Sequence, residues 1–188
     1  MKKKVGNQNL LYPMPVTIVG ALVNGKVNFL NVAHIGILNA SPPHLISLGM
    51  GKGHFTNQGI KENKTFSINM PSREQIIEVD YVGLVSGKEV DKSNVFEVFY
   101  GDLKTAPIIK NCPLSMECRL VDIYDTKTSE IFIGEIVSSY AQAEVLVNEK
   151  VDLVKVDPLL FDMSSKQYFS LGEIAGKGWD DGKKYVSR

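Results

Sequence analysis

The chain has 188 residues, 44% of them apolar, and its 21 basic and 21 acidic side chains cancel to a formal net charge of zero. That balance gives no support to broad electrostatic binding of nucleic acid or of an anionic membrane surface. The length supports one sizeable core, so the expectation is a single domain over residues 1–188, with its core at 12–172 and a tail at 173–188. After Met1-Lys2-Lys3-Lys4, the piece Val5–Tyr12 is too polar and short for the apolar part of a secretory signal. Val16–Val23 is apolar but too short to cross a bilayer. Two cysteines, Cys112 and Cys118, make no disulfide framework. A cytoplasmic setting is the resulting expectation.

In chain order, Pro15–Val23 and Lys26–Ala33 are β-like runs separated by Asn24-Gly25, the strongest short-range signal for a hairpin. His34–Ser41 reads as an irregular piece closed by Pro42-Pro43, and His44–Met50 as a third strand. Gly49, Gly51 and Gly53 relax the backbone before a short helix over Thr56–Asn63, with Thr56 expected as its N-cap. Thr65–Met70 alternates cleanly as a strand. Ser72-Arg73-Glu74-Gln75 has the form of a capping box ahead of a helix carrying Ile76, Ile77, Val79 and Tyr81. Gly83–Asn94 reads as a working loop. Ser115–Tyr124 and Glu130–Tyr140 read as two strands around a polar turn, Ala143–Val147 as a short extra piece and Ser164–Leu171 as a last strand. Many short strands and few helices predict a barrel with peripheral helices rather than a doubly wound sheet.

The run Val27–Thr56 holds all three histidines and ends in a glycine-relaxed turn onto a helix start. Backbone amides in such a place can hold a phosphate, so this run is the expected floor and rim of a nucleotide-type cofactor site. The glycines are not a dinucleotide fingerprint: the third glycine position is His54, and the acidic residue of the next strand is absent at Asn69-Met70. His34, His44 and His54 have no carboxylate or cysteine among them at ligand spacing, so no metal site is expected. Cys118 alternates with Met116 and Leu120 and reads as core, whereas Cys112, before Pro113 in a loop, is the candidate reactive thiol, with nothing nearby to depress its pKa.

Several segments, taken in order, carry a resemblance: Asn31-Val32-Ala33, Pro42-Pro43, Ser47-Leu48-Gly49-Met50, His54-Phe55-Thr56 and Phe66–Pro71 in the first half. Ser86-Gly87-Lys88 with Asp91-Lys92, Cys112-Pro113, Met116-Glu117-Cys118 and Ile131–Ile136 continue it. Over Tyr12–Gly172 the chain resembles the flavoredoxins, flavin reductase-like members of the FMN-binding split-barrel superfamily. The resemblance implies a mainly β fold, a six-stranded antiparallel split barrel of Greek-key type, acting as a homodimer with FMN near the subunit interface. It implies cofactor contacts from Asn31, Val32 and Ala33, with Ser47, Leu48 and Gly49 along the isoalloxazine. Thr56, with neighbouring amides, would hold the phosphate, and Ser86, Gly87, Lys88 and Lys92 would close the phosphate and ribityl side; His34, Met50 and His54 complete the expected cofactor-binding set. The flavin would do the chemistry, so no catalytic side chain is expected, and Lys92 and His54 are the first candidates for tuning it. Electrons would come from NAD(P)H or from a ferredoxin-type redox protein. Relatives often carry a histidine near the nicotinamide position where this chain has Ser129, which sets direct NAD(P)H use against a carrier reduced by a protein partner, or a flavin-binding protein without turnover. Phe161, Tyr168 and Trp179 are aromatic candidates for contact with a flavin across the dimer.

Overall fold

The computed structural model describes residues 1–185. Asn24 and Gly25 adopt φ of 52° and 76°, the left-handed values that a two-residue hairpin turn requires. They fold β1 (Thr17–Val23) back on β2 (Lys26–Val32), closing on the pair Val23 and Lys26. Five further strands, β3 (Ile35–Asn39), β4 (Leu45–Gly51), β5 (Thr65–Met70), β6 (Leu114–Asp125) and β7 (Ser129–Ala141), complete one antiparallel sheet. Its order is β2-β1-β5-β6-β7-β4-β3.

Six of these strands are the ones expected from the pattern. The seventh, β3, lies where the sequence suggested only an irregular piece. Its residues pair with the otherwise open edge of β4, and an edge needs ladder partners on one side only. Leu30 and Val32 of β2 meet Leu48 and Met50 of β4 in one buried cluster, together with Val19, Phe66, Ile68, Cys118 and Phe132. β2 and β4 share this interior without pairing to each other. The sheet therefore curls into a barrel that stays open along one seam, a mainly β split barrel.

Alternation gives β2 an outer face as well. Phe29, between Asn28 and Leu30, joins Ile18, Val79, Val82, Phe96 and Leu159 in a second cluster outside the barrel. The Phe29 and Phe96 rings meet edge-on with centroids 5.1 Å apart. This cluster seats α2 (Ile76–Leu84), which follows one 3-10 turn at Arg73–Gln75. The Ser72 amide donates to Gln75 Oε1 at 3.1 Å, as the capping-box pattern predicted.

Helix α1 (Phe55–Asn63) is capped two residues earlier than expected, with His54 rather than Thr56 at the N-cap and no side chain bonded to its first turn. The reason is tertiary: Thr56 is buried, and its Oγ1 accepts from Asn28 Nδ2 at 2.8 Å. Further on, Leu160–Asp162 pairs with both Met14–Pro15 and Gln167–Phe169 in a small separate sheet. The expected last strand is thus confined to Gln167–Phe169, and Ala143–Val147 divides into a 3-10 turn and a two-residue strand. Both cysteines are buried, and burial pushes the Cys112 thiol up to about 12, so the reactive thiol allowed by the sequence is not found. Among the described residues, no helix is long and apolar enough to cross a membrane.

Gly59 marks the closest approach of α1 to the barrel, since a Cβ there would overlap the Leu22 carbonyl oxygen of β1. Gly59→Ala should lower stability by about 1–3 kcal/mol, the usual cost of overpacking. Gly178→Ala, with nothing within 4 Å, should change it little. Urea midpoints of the two variants check this; equal midpoints would remove the packing argument.

Candidate flavin site

A cleft of about 460 Å³ opens on the outside of the barrel seam. One side is the end of β2 with the link to β3 (Asn31–His34) and the glycines Gly49 and Gly51 of β4. The other is the last turns of α2 (Asp80, Gly83, Leu84) and the C-terminal Phe161, Met163 and Tyr168. Alternation along β4 explains the bare backbone on the first side. Leu48 and Met50 point into the core, so the intervening Gly49 and Gly51 face the cleft. A Cβ on Gly49 would lie 3.2 Å from the His34 Cβ, and the Gly49 amide donates to the His34 carbonyl at 2.7 Å. This contact holds the chain leaving β2 against β4 across the unpaired seam.

A smaller cavity of about 160 Å³ adjoins the cleft, with His54, Gly83 and Leu84 bordering both. The start of α1 opens into it at Gly53–Thr56, opposite Val85, Ser86, Gly87 and Lys92. A helix start offers backbone N–H groups and the positive end of the helix dipole. Here no side chain caps them. Lys92 is 2% exposed, and its Nζ donates to the carbonyls of Val82 at 2.8 Å and Phe29 at 3.0 Å. An ammonium has three protons, so one is left without a protein acceptor among the described residues. Burial lowers the Lys92 pKa to about 8. Partial burial, and then the Lys92 charge, draw His54 below the usual imidazole range, leaving His54 a neutral hydrogen-bonding group at neutral pH.

Gly87 is a tight fit, because a Cβ there would overlap Asn28 Oδ1 and crowd Phe55. Only a residue without a side chain lets this loop close over Asn28 and Phe55. Ser86 holds the loop from within, its carbonyl accepting from the amides of Glu89 at 3.0 Å and Val90 at 2.9 Å.

The residues singled out in the sequence are thus distributed unevenly. Asn31, Val32, Ala33, His34, Gly49 and His54 border the cleft, while Thr56, Ser86, Gly87 and Lys92 border the small cavity with His54. Val32, Leu48 and Met50 bury their side chains in the barrel and have only backbone to offer a ligand. Ser47 turns to β3, its Oγ donating to the Gly36 carbonyl at 3.2 Å. Lys88 lies on neighbouring grooves rather than in the small cavity. Ser129 borders the cleft. Phe161 and Tyr168, with ring centroids 5.2 Å apart, stand in the wall of their own chain's cleft, whereas Trp179 is fully exposed. Sequence reasoning missed Asn28, Asp80, Gly83, Leu84 and Met163. Alternation places Asn28 opposite in facing to Phe29, but nothing local marks the α2 residues. Among the described residues, no three histidine, cysteine or carboxylate groups are placed to hold a metal ion.

A mainly β split barrel with a cleft along its seam is the fold shared by the flavin reductase-like proteins. The family described as flavin reductase like domain matches residues 9–170, and the chain belongs to that family. The flavoredoxin of Methanosarcina acetivorans is 44% identical over 97% of this chain and 98% of its own, with a TM-score of 0.94. The flavoredoxin of Desulfovibrio vulgaris (Miyazaki F) is 31% identical over 97% of this chain and all of its own, with a TM-score of 0.89. An FMN-binding protein from Thermus thermophilus, 22% identical, shares the fold with a TM-score of 0.79 over 94% of this chain and 98% of its own. These likenesses support a flavin-binding, oxidoreductase-like function.

Proposed function

We propose that the protein binds FMN, with the ring in the cleft and the phosphate in the small cavity, and passes electrons through it to an acceptor. One observation carries this reading. The uncapped start of α1 and Lys92, with one proton to spare, border the same cavity, which shares His54, Gly83 and Leu84 with the cleft. That donor set suits a phosphate dianion. The combined space is within the range of small-molecule sites. Bound FMN would supply the redox chemistry. The chain's part is to bind and orient: Gly49 and Gly51 let the ring approach the backbone, and Leu84, Phe161 and Met163 provide apolar wall. The Phe55 and Thr56 amides and Lys92 hold the phosphate, and the proton on Lys92 stays there while binding lasts.

The proposed assembly is a homodimer with FMN near its interface, in keeping with exposed Ile37 and Leu38 on the edge strand β3. The proposed electron donor is NAD(P)H or a ferredoxin-type protein. Ser129 favours the latter, because a serine borders the cleft where an imidazole would offer a flat surface and a charge for a nicotinamide.

Lys92→Met should weaken FMN by about 10- to 100-fold, the effect of losing a hydrogen bond to a charged group, and riboflavin, which lacks the phosphate, by a smaller factor that reflects only the lost contacts to Phe29 and Val82. Fluorescence titration checks this, and equal losses for both ligands would move the phosphate elsewhere. The same titration repeated against pH should show FMN affinity intact below the Lys92 pKa of about 8 and falling above it, since the neutral amine no longer attracts the dianion. After anaerobic mixing of the FMN-loaded protein with NADH or NADPH, slow bleaching of the flavin band, accelerated in Ser129→His, is expected. Fast bleaching that is unchanged in Ser129→His would rule out a role for this position. A sedimentation mass of one chain for the loaded protein would exclude the dimer.

A further inference from the structure

Between α2 and the end of β2, a chain of three polar side chains crosses one wall of the cleft. Tyr168 Oη donates to Asp80 Oδ1 at 2.9 Å, and Asn31 Nδ2 donates to Tyr168 Oη at 3.1 Å. All three residues border the cleft. Their order has a fixed sense. An ionised carboxylate only accepts hydrogen bonds, so the single phenolic proton must go to Asp80. The phenolic oxygen is then left as an acceptor, and the only group of Asn31 that can answer it is the amide nitrogen. Burial and then the Asp80 carboxylate push the Tyr168 phenol up to about 12, so this proton is present throughout the neutral range.

The consequence falls on the other half of the Asn31 amide. With Nδ2 committed, Oδ1 has no protein donor among the described residues. It is not sealed away either, because the only buried side-chain polar atoms without a partner there are Asn57 Oδ1 and Gln75 Nε2. The space that Asn31 borders is the cleft. Gly83 of α2 packs closely on the same side chain: a Cβ there would come to 3.2 Å from Asn31 Cβ and 3.6 Å from its Nδ2.

We propose that Tyr168 and Asp80 are positioning residues which hold the Asn31 carboxamide with its oxygen toward the cleft, where it accepts a hydrogen bond from an N–H or O–H of the bound flavin. The inference rests on the flavin reading of the cleft. A flavin has two kinds of group to offer such an acceptor, the ring N3–H and the ribityl hydroxyls. Without the Tyr168 hydroxyl the amide is free to turn, and its nitrogen would then face a donor.

The test is a matrix of dissociation constants from quenching of flavin fluorescence. The proteins are wild type, Tyr168→Phe and Asn31→Ala. The ligands are FMN, its N3-methyl analogue and ribityl-deoxy analogues each lacking one side-chain hydroxyl. Both variants should bind FMN about tenfold more weakly, the order of one net hydrogen bond. For the analogue that lacks the donor read by Asn31, wild type and both variants should bind alike; which analogue this is tells ring from ribityl. Should Tyr168→Phe weaken FMN and every analogue by the same factor, its role is merely structural and the inference is overturned; Asn31→Ala decides the same question independently if Tyr168→Phe does not fold. Failure of the wild type to bind FMN or riboflavin at all would instead bring down the flavin reading, and this inference with it.

Discussion

The ammonium of Lys92 ties the site together. Removing such a group from water costs several kcal/mol, and here only acceptors from two different elements offset that cost. One is the Phe29 carbonyl of β2, the other the Val82 carbonyl of α2. Holding both at hydrogen-bond distance fixes how far α2 stands from the barrel. The neighbours of those two carbonyls then fall into place. Asn28, before Phe29, reaches Thr56 on α1, and Gly83, after Val82, lies against Asn31. The cation that supplies charge to the cavity is therefore the same group that sets its width.

A second buried ionisable group serves the frame rather than the cleft. Glu117 on β6 is fully buried and accepts from Tyr140 Oη at 2.7 Å and from the amides of Asp102 at 3.0 Å and Leu103 at 2.8 Å. The long connection between α2 and β6 is pinned to the sheet there. Gly101 allows the approach, since a Cβ at that residue would overlap the Tyr140 hydroxyl. Both buried groups follow one rule: an ionisable side chain stays inside where polar groups converge to hydrogen-bond it.

Strand alternation does the rest. On β4 it sends Leu48 and Met50 inward and leaves Gly49 and Gly51 as bare backbone on the cleft. On β2 it gives Leu30 and Val32 to the barrel, Phe29 to the α2 contact and Asn31 to the wall. Core and site thus use opposite faces of the same strands, so a ligand can be accommodated without opening the barrel.

Much of the frame is legible in local chemistry. Asn24-Gly25 dictates its hairpin because few residues tolerate positive φ twice in succession, the alternation of Thr65–Met70 needs no distant partner to be read, and Ser72 with Gln75 starts α2 as its spacing demands. That a helix opens near His54–Thr56 could also be read from the glycines before it. Tertiary structure alone decided the remainder. β3 is a strand only because β4 presents an open edge; Thr56 is not the cap because Asn28, remote in sequence, takes its hydroxyl. The wall of the cleft joins Asn31, Asp80 and Tyr168, which no local pattern brings together. Periodicity and turn chemistry act over a few residues and so are written in sequence, whereas a buried ammonium or a shared phenolic proton depends on which distant backbone groups the finished barrel sets side by side.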